Sequence, residues 1–361
     1  MPPTIPPDRI HSIDALRAVA ALIVLFAHAW PAVMGNDGYV GAGFFNFLND
    51  AVFQRGQLGV TLFFVISGYV IPPSLIRHSQ GNLRRFAIAR FMRLYPAYWL
   101  SAGVFVLLIG MPAESQIVWF NLTMIQRLFS VPDLIGIYWT LFIELIFYGL
   151  TALFFTFGWL ATGRKVGLIV IAFLALTIVS AALRRASDLP LPAGTMMFLC
   201  LMFFGTWLRL GTHDNRRLAW ATTLFLAGLL VSAALLYYPD RFGATWYMHF
   251  SRYLWAVILF LIGVKVLKAQ CGWLTYLGVI SYSIYLLHQP IITFVGGQLV
   301  LSANVWSRLG AVATIMLVTC GCAAVIYRMV EWPSIELGKT INKWTDERSS
   351  PKDPIKVRGT L

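Results

Sequence analysis

Charge is what this sequence has least of. Asp, Glu, Lys and Arg make up 12% of its 361 residues, where a soluble domain carries about 25%. With 58% hydrophobic residues and a mean hydropathy of +0.72, that shortage excludes an ordinary water-soluble domain. Cysteine is also rare. Cys200, Cys271, Cys320 and Cys322 fall mostly in apolar context, and Cys320 and Cys322 point to different sides of a predicted helix. Neither a disulfide framework nor a zinc site is indicated, and core packing is the expected role of all four. The N-terminal MPPTIPPDR lacks the basic stretch, short apolar run and small-residue cleavage site of a signal peptide, so the first helix is expected to stay in the mature protein. The chain shows no internal repeat and no soluble domain.

What is present is a series of apolar runs along the whole length. They predict an all-α polytopic integral membrane protein of about ten transmembrane helices, near 13–34, 54–74, 90–110, 135–157, 166–183, 193–210, 218–237, 248–268, 273–296 and 308–331. Most reach the ~17–25 residues that cross ~30 Å of hydrocarbon. The eighth is the weakest, because its uncharged core YLWAVILFLIGV is short. Breakers such as Pro72-Pro73, Pro112 and Pro239-Asp240 close the spans. With both termini cytoplasmic, only Arg55, Arg127, Arg184, Arg185, Arg241, Arg252 and Arg308 among the 28 Lys and Arg fall outside, a strong positive-inside bias. The net charge of +13 therefore reads as orientation and lipid contact, with no nucleic-acid partner. Residues 1–340 form the expected transmembrane domain, and residues 341–361 an expected disordered cytoplasmic tail. A multi-pass protein of a bacterial-type inner membrane is the implied location.

Several polar residues lie inside these apolar runs. In IDALRAVAALIVLFAHAW (13–30), Arg17 and His28 are eleven residues apart. That is three turns plus 20°, so they share one helix face about 16 Å apart along the axis. Asp14 lies one turn before Arg17. In GVISYSIYLLHQP (278–290), Ser281, Tyr285 and His288 have i, i+4, i+7 spacing and form one polar stripe. His288 lies fifteen residues beyond Trp273, as His28 does beyond Ile13, which predicts two imidazoles at one depth. Pro290 is the expected kink. In YWTLFIELIFY (138–148), Thr140, Glu144 and Tyr148 share a face, and Glu144 is expected at the level of the histidines, paired with an imidazole. In RRFAIARFMRLYPAYW (84–99), Arg90 and Arg93 share a face, with Arg84 and Arg85 nearby. This is either an anion site for bidentate guanidinium groups or an ordinary topology signal. In GVTLFFVISGYVIPP (59–73), Ser67-Gly68 allows close helix approach.

Assembled, these residues predict a directional site with arginines at a cytoplasmic mouth and His28, His288 and Glu144 deeper. A donor with a phosphate-rich head and a long thin arm suits that layout, and acyl-CoA has this shape. Arg17, Arg90 and Arg93, with Arg84 and Arg85, would receive its phosphates. An imidazole would take the proton of an acceptor hydroxyl, with Glu144 fixing its tautomer. Asp14, Ser67, Trp139, Ser281 and Tyr285 are expected to line the site.

The order of Arg17, ten residues and His28; FFVISGY; RFMRLYP; Trp139-Thr140-Leu141 to Glu144 to Phe147-Tyr148; and SYSIYLLHQP resembles the membrane-bound acyltransferase family 3 from about Ser12 to Pro333. The resemblance implies O-acylation of a carbohydrate or a related acceptor. It further implies catalysis by residues matching Arg17 and His28, and donor binding by Arg90 and Arg93. Two departures are visible. Leu145 stands where the family pattern often has a second acid, and no SGNH-type domain follows, which suggests the stand-alone form. Acyl-CoA, most simply acetyl-CoA, is the implied co-substrate, with no permanently bound cofactor and no metal. The acceptor is an implied carbohydrate, such as a lipopolysaccharide or exopolysaccharide precursor, and membrane lipids surround the chain. Two other readings stay open on the residues alone: a proton-coupled secondary transporter using the same His and Glu residues, and an acyl-threading unit that serves a separate protein partner.

Overall fold

The computed structural model describes residues 11–35, 42–76, 82–187, 189, 191–211, 215–236, 246–266, 272–298 and 304–349. Arg9, Arg77, Pro239, Asp240, Arg241, Lys268, Cys271 and residues 350–361, all used in the sequence reading, lie outside the described residues. Among the described residues there is no strand. The described residues form, in order, fourteen α-helices: α1 (His11–Met34), α2 (Gly43–Phe47), α3 (Gln57–Ile76), α4 (Asn82–Ile109), α5 (Gln116–Asn121), α6 (Tyr138–Thr156), α7 (Gly163–Ser187), α8 (Ala193–Leu210), α9 (Asn215–Leu236), α10 (Trp246–Val266), α11 (Gly272–Val279), α12 (Ser281–Gln298), α13 (Val305–Ile326) and α14 (Trp332–Ser349). Two π-helical turns, Leu48–Val52 and Tyr327–Glu331, complete the main architecture.

Eight described helical segments are long and apolar enough to cross a membrane, and the bent pair α11–α12 makes a ninth span. In α10 the apolar stretch His249–Val264 is shorter, the same weakness visible in its sequence. An all-α polytopic membrane protein results. Its central helix is α1, which contributes both to a large cluster running from α3 through α10 and to a second one with α12 and α13.

Without a hydrophobic force between helices in lipid, close backbone approach is the main source of packing. Gly68 and Gly205 supply it between α3 and α8. A Cβ on Gly68 would lie 1.7 Å from the Met202 carbonyl oxygen, and one on Gly205 would lie 2.2 Å from that of Val65. Thr206 Oγ1 adds a hydrogen bond to the Gly68 carbonyl at 2.9 Å.

Three expectations change. The ninth span breaks by 69° between α11 and α12, whereas Pro290 lies inside α12. At the break, Gly278 meets the backbone of α1 so tightly that a Cβ would sit 1.8 Å from the Asp14 carbonyl oxygen. The last span continues through the π-helical turn into α14 as one 43-residue stretch. At 1.5 Å per residue that is about 64 Å, twice the hydrocarbon thickness. The helix therefore runs past residue 340 to Ser349. Finally, Cys200 is buried and Cys320 partly so, but Cys322 is exposed on α13, because a two-residue step turns a helix by 200°.

Candidate active site

A cavity of about 260 Å³ opens among α1, α3, α4, α6 and α12. Its apolar wall is α3, with Val60, Phe63, Phe64, Ile66, Val70 and Ile71, interrupted by Ser67. Its polar lining comes from the other four helices: Arg17, Arg90, Arg93, Thr140, Glu144, Tyr148, Ser281, Tyr282 and Tyr285. The face of α6 predicted from Thr140, Glu144 and Tyr148 is thus turned wholly into the cavity.

Charge inside it is unevenly partnered. Tyr148 Oη donates to Glu144 Oε1 at 2.6 Å, and Arg17 feels Glu144 and Asp14 as its anionic neighbours and Arg93 as a cationic one. The Arg90 guanidinium lies over the Phe86 and Tyr148 rings, at 5.5 and 5.6 Å, and donates to Ser74 Oγ at 3.1 Å. Three buried polar atoms on the lining, Arg17 Nε, Arg90 Nε and Ser281 Oγ, have no protein partner. Buried donors are seldom left unpaired, so this group of orphans marks a place for a polar or anionic ligand.

The histidines form a separate level. Their ring centroids are 5.0 Å apart, and neither residue lines the cavity. His28 Nδ1 is 2.8 Å from the Val24 carbonyl oxygen, and His288 Nδ1 is 2.6 Å from that of Tyr285. A carbonyl only accepts, so each neutral ring carries its proton on Nδ1 and leaves Nε2 as a lone-pair base. His288 is fully buried and its Nε2 has no partner. Tyr285 joins the two levels: it lines the cavity, its ring is 5.5 Å from that of His288, and its Oη is 2.7 Å from Thr140 Oγ1. Next to His28 the chain turns through three left-handed residues, Gln54, Arg55 and Gly56, with φ of 47°, 51° and 88°. A Cβ on Gly56 would lie 3.2 Å from His28 Cε1, so glycine there permits both the turn and the approach.

The expected residues therefore divide. Arg17, Ser67, Arg90, Arg93, Glu144, Ser281 and Tyr285 share the cavity. His28 and His288 meet each other beyond it. The expected pairing of Glu144 with an imidazole is replaced by Tyr148, one turn away on its own helix, while backbone carbonyls set both tautomers. Arg84 and Arg85 do not reach the cavity; both pair with Asp346 of α14, at 2.9 and 2.5 Å. Trp139 packs between Phe64 and Phe198, and Asp14 is buried one turn from Arg17, outside the lining. The residue missed from sequence is Glu331, whose carboxylate lies 3.1 Å from Arg93 Nη1. Glu144 stood out as an acid inside an apolar run, whereas Glu331 stands at the end of one, where an acid is commonplace.

A family model described as an acyltransferase domain matches residues 10–328. Nodulation protein 10 of Rhizobium leguminosarum bv. viciae is 28% identical over 162 residues, covering 38% of this chain and 42% of that protein. Peptidoglycan O-acetyltransferase OatA of Listeria monocytogenes serovar 1/2a is 33% identical over 102 residues, covering 27% of this chain and 13% of that protein. The chain thus spans less than half the length of either relative. No solved structure matches it.

Proposed function

The chain belongs to the acyltransferase-3 family, and from that premise we propose that it moves an acetyl or other short acyl group from acyl-CoA to a carbohydrate hydroxyl. The observation that carries this reading is the pair of imidazoles 5.0 Å apart, each with Nδ1 held by a carbonyl and Nε2 free. They stand beside a cavity in which Arg17 and Arg90 have unpartnered donors. The donor's phosphates occupy the Arg17 and Arg90 level, and its pantetheine arm runs the ~16 Å along α1 towards His28. His28 Nε2 takes the acceptor's proton as the hydroxyl oxygen attacks the thioester carbon. The C–O bond forms, the C–S bond breaks, and the imidazolium returns the proton to the departing sulfur. His288 Nε2 is the neighbouring acceptor that helps to hold that proton.

The relative named as a peptidoglycan O-acetyltransferase supports an acetyl group and a glycan acceptor. Both relatives are bacterial, which supports an inner-membrane location. The test is thiol release from acetyl-CoA by membranes containing the wild type or His28→Ala, with a panel of glycans and glycolipids. Acceptor-dependent release is expected from the wild type, falling ~10²–10⁴-fold in the variant with the protein still inserted. Full activity in His28→Ala overturns the assignment of the base. A wild type that neither binds nor consumes acetyl-CoA overturns the donor.

A further inference from the structure

The C-terminal helix clasps the helix that carries the cavity arginines. Glu331, last residue of the π-helical turn before α14, is fully buried and lies 3.1 Å from Arg93 Nη1 on α4. Ser283 on α12 donates to its other oxygen at 2.6 Å. Seven residues on, Gly338 meets α4 so closely that a Cβ would lie 3.1 Å from Met92 Cβ. Beyond it, Asn342 Nδ2 donates to the Arg85 carbonyl oxygen at 3.3 Å, and Asp346 takes both Arg84 and Arg85. Positions 338 and 342 lie within about 20° of 331 round a helix, and 346 within about 60° of it. They form one face, running antiparallel to α4.

Arg93 therefore differs from the other two cavity arginines. Arg17 and Arg90 keep buried, unpartnered Nε donors, whereas Arg93 lines the cavity while its guanidinium is tied to a carboxylate outside the lining. The same carboxylate holds Ser283, a neighbour in sequence of the cavity residues Tyr282 and Tyr285. We propose that Glu331 is a positioning residue that, through Arg93 and Ser283, fixes the arginine wall against α12 and makes donor binding depend on the C-terminal helix. Its donor-binding half rests on the acyl-CoA reading above.

The experiment compares full-length wild type, Glu331→Gln, Glu331→Asp, Arg93→Ala and the double variant Arg93→Ala/Glu331→Gln. It measures the acetyl-CoA KM, kcat and thermal midpoint of the purified proteins. Glu331→Gln is expected to raise the acetyl-CoA KM about tenfold, as loss of an outer-shell partner does, with kcat within about twofold of wild type. Glu331→Asp recovers part of the KM, and the double variant is no worse than Arg93→Ala alone. Additive effects in the double variant, or a lower midpoint with KM unchanged, overturn the positioning role and leave a mere brace. If Glu331→Gln does not accumulate, Ser283→Ala decides instead: it leaves the ion pair in place, a rise in acetyl-CoA KM is expected, and an unchanged KM overturns the proposal. A wild type inert towards acetyl-CoA, with midpoints still coupled between Arg93 and Glu331, overturns the donor-binding half together with the proposed donor, and upholds the clasp alone.

Discussion

The arginine level and the histidine level of this site are built in opposite ways. Each imidazole is oriented by its own helix, His28 by a carbonyl four residues back and His288 by one three residues back. The arginines of α4 that are paired depend instead on distant chain: Arg93 in the cavity on Glu331, and Arg84 and Arg85, outside it at the start of the same helix, on Asp346. A base needs one tautomer and one free lone pair, which a local carbonyl supplies wherever the helix forms. A polyanion site needs several cations held against their mutual repulsion, and that takes carboxylates from other helices. The comparison predicts that histidine-level changes act on turnover, and arginine-level changes on donor binding.

The widest separation is expected from His28→Ala, whose loss of turnover should leave acetyl-CoA binding intact. Measuring both in one preparation breaks the comparison if they fall together. Arg90→Ala is the converse. It removes a cation with an unpartnered buried donor, and the acetyl-CoA KM should rise about tenfold or more with kcat little changed. Equal losses in the two constants would merge the levels. Gly56→Ala sharpens the histidine side. A Cβ at φ 88° costs roughly 1–2 kcal/mol and presses on His28, so kcat should drop several-fold at constant acetyl-CoA KM; a change in KM instead would mean that the turn serves the donor. The smallest effect belongs to Arg84→Ala. Its ion pair is 43% exposed on the arginine side, Arg85 still holds Asp346, and such pairs contribute about 0–1 kcal/mol. Neither constant should move more than about threefold, and a larger shift in acetyl-CoA KM would return Arg84 to the donor site.

Much of this was legible beforehand because it depends on helix period and hydropathy. The spans, the shared face of Thr140, Glu144 and Tyr148, and the common depth of His28 and His288 all follow from 100° and 1.5 Å per residue. Family membership was equally readable from motif order. The partner of Glu144 was not, because a helix face says which way a carboxylate points but not which neighbour comes within 3 Å. Tyr148 shares that face, one turn on, and it is Tyr148 that reaches the carboxylate. The bend falls at residue 280 and not at Pro290 for a related reason: proline is visible in sequence, while Gly278 matters only because the Asp14 backbone lies against it.

By itself, then, the sequence determined an all-helical membrane chain, its apolar spans, and the few ionisable residues that such a chain carries inside them. Those properties come from local geometry and from the cost of exposing polar groups to hydrocarbon. Only the tertiary structure decided which of those residues share a cavity and which arginine is tethered. It also decided that the C-terminal segment, through Glu331 and Asp346, pairs with the arginines of α4. Pairings between residues 93 and 331 or 84 and 346 depend on how whole helices cross, and a crossing is set by backbone contacts at glycines that no period in the sequence reveals.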